Sequence, residues 1–219
     1  DCAEIGVKGI SLVSDGESTL SPAFASTLLR GRALGLHMAS GTNGLLFSRA
    51  WAEQLLPALT YLRFNVSGGH PRRYAEIMGV KPGWFERVIQ NIRDAVDVKR
   101  AQSLDVTIGT QFVLDPRDAD QILPFARLSV DLGVDYGVIK HCSDNEDGWL
   151  GVDYAKYAAL EDTLRQAEAL STPQTAIVVK WTKIRAGNVR SYQRCYGPPF
   201  ILQISGSGLV APCGMLFND

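Results

Sequence analysis

Residues 106–140 read VTIGTQFVLDPRDADQILPFARLSVDLGVDYGVIK. Val106 to Leu114 is an apolar strand-like run, Gln121 to Leu132 carries its apolar residues at helical spacing, and Val134 to Lys140 is a second strand. Strand, helix and strand in so short a span predict a parallel βα crossover. The same alternation extends outward. Gly9 to Val13 is a short strand, and Ser21-Pro22 predicts the start of a helix that runs to about Leu34 and stops at Gly35. Leu36 to Ala39 is a brief strand, Ser48 can cap a helix that ends before Pro57, and Tyr61 to Val66 is the third strand. From Trp84 to Arg100 the residues Phe85, Val88, Ile89, Ile92 and Val96 share one helical face. Asp153 to Leu170 predicts another helix and Ala176 to Trp181 a sixth strand. The expected fold class is α/β, with a parallel sheet.

Composition narrows the function classes. The 219 residues are 46% hydrophobic, with 22 basic and 23 acidic side chains and a net charge of −1. That length supports one medium domain, or a domain with a small appendage. Balanced charge argues against nucleic acid as a partner, and no apolar run has the length of a membrane span. Four cysteines are too few for a disulfide framework and predict a reducing, cytoplasmic setting. The chain starts at Asp1 rather than Met, which reads as a piece of something longer.

The last stretch changes character. From Tyr196 onward helical periodicity disappears, and Phe200–Ile204 and Leu209–Ala211, joined by Ser205-Gly206-Ser207-Gly208, predict a β-hairpin. A boundary falls near residues 186–194, dividing the chain into 1–187 and 188–219.

In a parallel βα array, ligands gather beyond the C-terminal ends of the strands. The polar clusters lie there: Ser14-Asp15-Gly16-Glu17-Ser18 after the first strand, Thr42-Asn43-Gly44 after the second, and Asn65-Val66-Ser67-Gly68-Gly69 across the end of the third. Thr107, Gly109 and Gln111 share one face of the fourth strand, and the fifth ends in Lys140-His141-Cys142-Ser143-Asp144. Each alone reads as a turn; their recurrence after consecutive strands is the signal.

That series resembles the radical S-adenosylmethionine (radical SAM) superfamily. DGESTLSP (15–22) is similar to the family's Gly-Gly-Glu-Pro turn, Thr42-Asn43-Gly44 to its next turn, and Arg63 to Ser67 to the strand that meets the SAM ribose or carboxylate. Ile77-Met78-Gly79 resembles a segment that often reads Ile-Arg-Gly, and Val106 to Val113, with Gly109, resembles the strand near the adenine. The resemblance covers roughly residues 4–140, with the first visible strand matching the family's second. It implies an incomplete, partial (β/α)6 TIM-like barrel lacking its first strand, and a SAM site made by Asp15, Gly16, Glu17, Ser18, Asn43, Asn65, Ser67, Gly109 and Gln111. Asp15 and Ser18 stand where the family has Gly and Pro, and Met78 where relatives carry an arginine for the SAM carboxylate; Arg72 or Arg73 could replace it.

Cys195, followed by twelve residues, Gly208, four residues and Cys213, resembles the opening of the SPASM extension. The resemblance implies that Cys195 and Cys213 ligate an auxiliary iron–sulfur cluster within a truncated extension over 188–219. Two thiolates cannot complete a cluster, so other ligands would lie beyond Asp219. The C-x3-C-x2-C motif that holds the family's 4Fe–4S cluster occurs nowhere in the chain, so the expectation is a fragment, inactive alone, of an enzyme that cleaves SAM to a 5′-deoxyadenosyl radical. The implied partners are a peptide or protein substrate and an electron donor of flavodoxin or ferredoxin type.

On the substrate side, Lys140 and Cys142 share one strand face, with Ile139 and His141 on the other. They are candidate catalytic or substrate-bordering residues; the bland reading is a buried thiol and a lysine paired with Asp144 or Glu146. Asp144 to Gly148 lacks the spacing of a calcium loop and reads as a solvated turn. The basic stretch Trp181 to Arg185, with Arg190 and Arg194, reads as the junction between the two parts. Two alternatives stand beside the enzyme: a degenerate, non-catalytic barrel that binds a peptide or protein, and a barrel enzyme using Glu17, Lys140 and His141 as acid–base groups.

Overall fold

The computed structural model describes residues 1–13, 16–144, 147–187, 189 and 192–213. Six strands form one sheet: β1 (Gly9–Leu12), β2 (His37–Thr42), β3 (Leu59–Asn65), β4 (Thr107–Leu114), β5 (Tyr136–His141) and β6 (Ala176–Val179). Every neighbouring pair is parallel, and spatial order equals chain order. A doubly wound sheet reverses its direction of growth at one strand. This one never reverses, so with right-handed crossovers the connecting helices all fall on one side of it. Among the described residues no pairing joins β6 back to β1, and the sheet is open.

The helices are α1 (Phe24–Ala33), α2 (Arg49–Leu55), α3 (Pro71–Met78), α4 (Gly83–Ala101), α5 (Ile122–Leu132), α6 (Glu161–Glu168) and α7 (Trp181–Ala186). One strand face supplies the core with Met38, Leu62, Phe64, Ile108, Phe112, Leu114, Ile139 and Ile177, all essentially inaccessible. Against them pack Phe24 and Leu28 of α1, Val88, Ile89, Ile92 and Val96 of α4, and Ile122 and Phe125 of α5. Burying a side chain of that size is worth about 1.5–3 kcal/mol, so this seam between sheet and helices holds the fold.

The expected alternation is present, with five local differences. β2 runs three residues past Ala39, because its end pairs with β3 through Thr42. The helix expected over 153–170 is split into a 3-10 segment at Tyr154–Leu160 and then α6. Within that segment Tyr157 turns inward to the Leu114 carbonyl and the Cys142 amide. The sixth strand ends at Val179. Trp181 starts α7, donating its indole N–H to Glu168 at 2.9 Å and lying between the Arg165 and Arg185 guanidinium groups at 5.1 Å each. The sequence reading has no counterpart for α3, although Pro71 opens it and Gly79 closes it at φ +63°, a conformation that glycine adopts without strain. α1 starts at Phe24, with the Ser21 hydroxyl accepting from the Ala23 amide at 3.3 Å.

The C-terminal hairpin forms as expected. β7 (Gln203–Ile204) pairs antiparallel with β8 (Val210–Ala211), and the Ser205 amide donates to the Leu209 carbonyl at 2.9 Å.

Candidate functional site

Because the strands are parallel, their C-terminal ends share one edge of the sheet. Register then fixes which side chains share the face turned away from the helices. Tyr61 pairs with Thr107, Arg63 with Gly109, and Asn65 with Gln111; Gly109 pairs in turn with Tyr136, and Val113 with Lys140. This face is the polar one: Leu62 and Phe64 are fully buried on the helical side, while Tyr61, Arg63 and Asn65 between them are partly accessible.

The turns after β1 and β2 are tied together by Glu17. One carboxylate oxygen accepts from the Thr19 amide (3.1 Å), the Thr19 hydroxyl (2.6 Å) and the Thr42 hydroxyl (2.7 Å), while the other accepts from the Asn43 amide (2.6 Å). Asn43 Oδ1 accepts from the Leu45 amide at 2.9 Å. From α4, Asn91 donates to the Gly44 carbonyl at 2.7 Å. The Ser18 hydroxyl donates to the carbonyls of Leu12 (3.4 Å) and Gly41 (3.3 Å), where β1 and β2 end. Gly16, Glu17, Ser18 and Asn43 are therefore brought together. The Glu17 side chain is spent on holding the two turns, which leaves the turn backbone as what they offer a ligand. Asp15 lies outside the described residues.

Asn65 and Gln111 meet on the polar face, with Gln111 donating to Asn65 Oδ1 at 3.1 Å. Ser67 is buried just beyond, and the Gly69 amide donates to Gln121 at 3.1 Å. Gly109 is placed differently. A Cβ there would lie 2.1 Å from the Tyr136 ring, so the glycine is what lets that ring lie across β4. Tyr136 stacks on Tyr61 at 6.0 Å between centroids and donates its hydroxyl proton to the Tyr61 oxygen. Burial, then that hydrogen bond, pushes the Tyr136 phenol well above its usual range.

Lys140 and Cys142 share the polar face at the end of β5, as the alternation requires. Burial, and then the nearby Arg63 charge, lowers the Lys140 ammonium below its ordinary range. Among the described residues Lys140 has no carboxylate partner. Asp144 accepts instead from the amides of Leu150 (2.9 Å) and Val152 (3.2 Å), and Glu146 lies outside the described residues. Burial, followed by the Asp115 and Asp144 carboxylates, raises the Cys142 thiol. A thiol kept protonated suits hydrogen-atom donation better than nucleophilic attack. His141 points into the helical layer, with Nδ1 2.8 Å from the Cys142 carbonyl and its ring edge-on to Tyr154 and Tyr157. Glu17, Lys140 and His141 thus do not converge, and the acid–base alternative lacks its constellation.

Arg63 is the feature that sequence reasoning passed over. It sits mid-strand on the polar face, and its Nε is buried without a hydrogen-bond partner. An unmet buried donor costs about 1–3 kcal/mol. Its signal was present in the alternation Tyr61, Arg63, Asn65 against Leu62, Phe64. Arg73, by contrast, is committed to Asp120 and Asp118 at 2.9 Å and to Glu76 at 2.7 Å, and Arg72 to Glu76 at 2.9 Å. Met78 ends α3 and packs against the core.

Cys195 and Cys213 flank the hairpin and are exposed; the Cys195 sulfur accepts from the Gly197 amide at 3.4 Å. Among the described residues no three cysteine, histidine or acidic side chains gather as a metal site. The polar face thus offers a donor set suited to SAM: turn backbone, an Asn–Gln pair and a buried serine. Among the described residues none form the site of an iron–sulfur cluster.

No protein-family model and no curated protein matches the sequence. Solved structures do match. Streptococcus suis SuiB bound to S-adenosylmethionine superposes with a TM-score of 0.74 at 16% identity, covering 100% of this chain and 52% of that one. The complex of SuiB with its precursor peptide SuiA gives 0.71 at 16% identity, again covering 100% and 52%. The anSMEcpe enzyme with bound AdoMet gives 0.65 at 14% identity, covering 99% and 63%. These neighbours are radical SAM enzymes. At such identities the likeness is one of fold: the six-stranded parallel sheet is that of their partial (β/α)6 barrels. The chain spans about half the length of SuiB.

Proposed function

We propose that this chain is the SAM- and substrate-binding body of a radical SAM enzyme acting on a peptide or protein. The observation that carries it is the polar face of the sheet, where Gly16, Glu17, Ser18 and Asn43 form one cluster in the turns after β1 and β2, and Asn65 at the end of β3 meets Gln111 of β4. The fold shared with SuiB bound to S-adenosylmethionine supports it, and SuiB bound to a precursor peptide supports a peptide substrate. SAM, when bound and reduced by one electron, would break at its C5′–S bond into methionine and a 5′-deoxyadenosyl radical, which would take hydrogen from an unreactive C–H bond.

The chain's own residues do the rest. The Gly16–Ser18 backbone receives the SAM amino group, Asn65 and Ser67 meet its ribose or carboxylate, and Gln111 with the Gly109 strand borders the adenine. Lys140 and the protonated Cys142 border the substrate. We assign residues 1–187 to the barrel and 188–219 to a SPASM-like segment, which the β7–β8 hairpin between Cys195 and Cys213 supports. This function requires a 4Fe–4S cluster whose thiolates are not among these 219 residues, and an electron donor of flavodoxin or ferredoxin type. The free thiols support a reducing, cytoplasmic setting. No helix among the described residues is long and apolar enough to cross a membrane.

Saturation-transfer NMR of SAM with the 219-residue chain tests the binding role without any cluster. Transfer to the adenine and ribose protons is expected, and should fall at least several-fold in Asn65→Leu and Gln111→Leu. No transfer, or transfer unchanged in both variants, overturns the proposal.

A further inference from the structure

Among the described residues two arginines are not exposed, Arg63 and Arg73. Arg73 is compensated by three carboxylates, Asp118 and Asp120 at 2.9 Å and Glu76 at 2.7 Å. Arg63 has none, and among the described residues it forms no hydrogen bond and lies over no aromatic ring. Its Nε is sealed from water without a partner, whereas its two terminal nitrogens stay open on the polar face. A charge that gives up part of its hydration with no ion pair in return is unfavourable until an anion joins it.

Strand register shows where the open end lies. Gly41 of β2, Arg63 of β3 and Gly109 of β4 form one row across the polar face. The Tyr136 ring covers Gly109. The guanidinium lies over Gly41, with Nη2 3.5 Å from where a Cβ would stand and the Val13 side chain 3.3 Å from the same point. It therefore turns toward the ends of β1 and β2, where the Ser18 hydroxyl donates to the Gly41 carbonyl at 3.3 Å. Glu17, the acid of those turns, already accepts from four donors. One inward-facing step above Arg63 on its own strand is Asn65, which accepts from Gln111.

We propose that Arg63 is the carboxylate-binding residue of the polar face, receiving through its two terminal nitrogens the carboxylate of a ligand seated between Asn65 and the turns after β1 and β2. This rests on the reading of that face as the SAM- and substrate-binding one. Two sources carry the chemistry, the amino-acid end of SAM and an acidic group of a peptide substrate. The end of a guanidinium presents two parallel N–H donors that match the two oxygens of a carboxylate. Phosphate fits less well, since phosphate sites draw on free backbone amides. The glycine turn beyond β3 has none to give: the Gly68 amide donates to the Val66 carbonyl and the Gly69 amide to Gln121.

Isothermal titration of the 219-residue chain at low ionic strength, with two pairs of probes, tests the assignment and separates the sources. SAM is compared with decarboxylated SAM, which keeps the nucleoside, the sulfonium and the amino group. N-acetyl-glutamate amide is compared with its neutral isostere N-acetyl-glutamine amide. In at least one pair the carboxylate should bind about tenfold or more tighter, and Arg63→Gln should remove that preference. A preference within the first pair assigns the carboxylate to SAM, and one within the second assigns it to the substrate. Arg63→Lys should retain part of the preference, keeping the charge and losing the fork. If Arg63→Gln fails to fold by circular dichroism, Arg63→Lys decides alone. No preference in either pair, or a preference undiminished in a folded variant, overturns the proposal, as does inorganic phosphate binding tighter than either carboxylate. Equal binding within both pairs, with saturation transfer to SAM intact, sinks the role of Arg63 alone. An Arg63-dependent preference for the glutamate probe without any transfer to SAM sinks the SAM reading alone.

Discussion

Glu17 and Gly109 both stand in the motifs that suggested a SAM site, yet each has a structural task that the local sequence does not display. The Glu17 carboxylate receives four donors from Thr19, Thr42 and Asn43. Glu17→Ala should destabilise by about 2 kcal/mol or more, since each buried donor left unmet costs about 1–3 kcal/mol. Exposed Glu53→Ala should stay within about 0.5 kcal/mol. Urea unfolding of the two variants checks this, and equal midpoints would mean that the network does not hold the turns. At Gly109 an added methyl group meets the Tyr136 ring, so Gly109→Ala should cost about 1–3 kcal/mol as overpacking. Tyr136→Leu in the same chain should recover part of that loss. Strict additivity of the two changes would show that the ring does not rest on Gly109.

At the scale of the element, the end of β5 decides what Lys140 and Cys142 can do. One strand step separates a buried histidine facing the helices from a half-buried thiol facing the opposite way. The thiol is raised by burial and by the Asp115 and Asp144 carboxylates, and it is half-buried, whereas Cys2, Cys195 and Cys213 are exposed. Iodoacetamide should therefore label Cys142 about tenfold more slowly than the other three, with a rate that keeps rising at higher pH. Peptide mass spectrometry reads each site separately. Uniform labelling of all four would contradict both the shelter and the raised thiol.

Across the whole molecule, acid should destabilise the fold by a predictable route. Hydrogen bonds from arginine hold Asp115, Asp120, Glu76 and Glu161 below their ordinary ranges. Groups depressed in the folded state contribute stability above their unfolded values and lose it as pH falls through the folded ones, here at about pH 4 and below. Asp118 opposes this: burial raises it, so its contribution is greatest when protonated and is lost as pH rises. Four depressed groups against one predict a net fall in the urea midpoint between pH 5 and about pH 3.5, smaller in high salt because the pairs are largely exposed. A flat profile would mean that these pairs are as strong in the unfolded chain.

The extent to which the sequence disclosed all this follows from the range of the forces involved. Apolar alternation and helical spacing are local, so the six strands, the long α4 and the terminal hairpin were legible from residues alone. The polar strand ends were legible for the same reason. α3 was not, because it is only eight residues long and its evidence is a proline and a glycine at its two ends. Nor was the break in the helix after Asp153, which is set by Tyr157 reaching the ends of β4 and β5.

What the sequence by itself determined is the βα rhythm and the placing of polar turns after consecutive strands, since both depend on near neighbours in the chain. Only the tertiary structure decided that Glu17 is spent on the turn, that Tyr136 covers Gly109, and that Arg63 and Lys140 share a face where, among the described residues, neither forms an ion pair. The reason is physical: hydrogen-bond saturation, ring packing and charge compensation depend on atoms 25 to 80 residues apart in the chain (Glu17 with Thr42, Tyr61 with Tyr136), and only strand register brings them together.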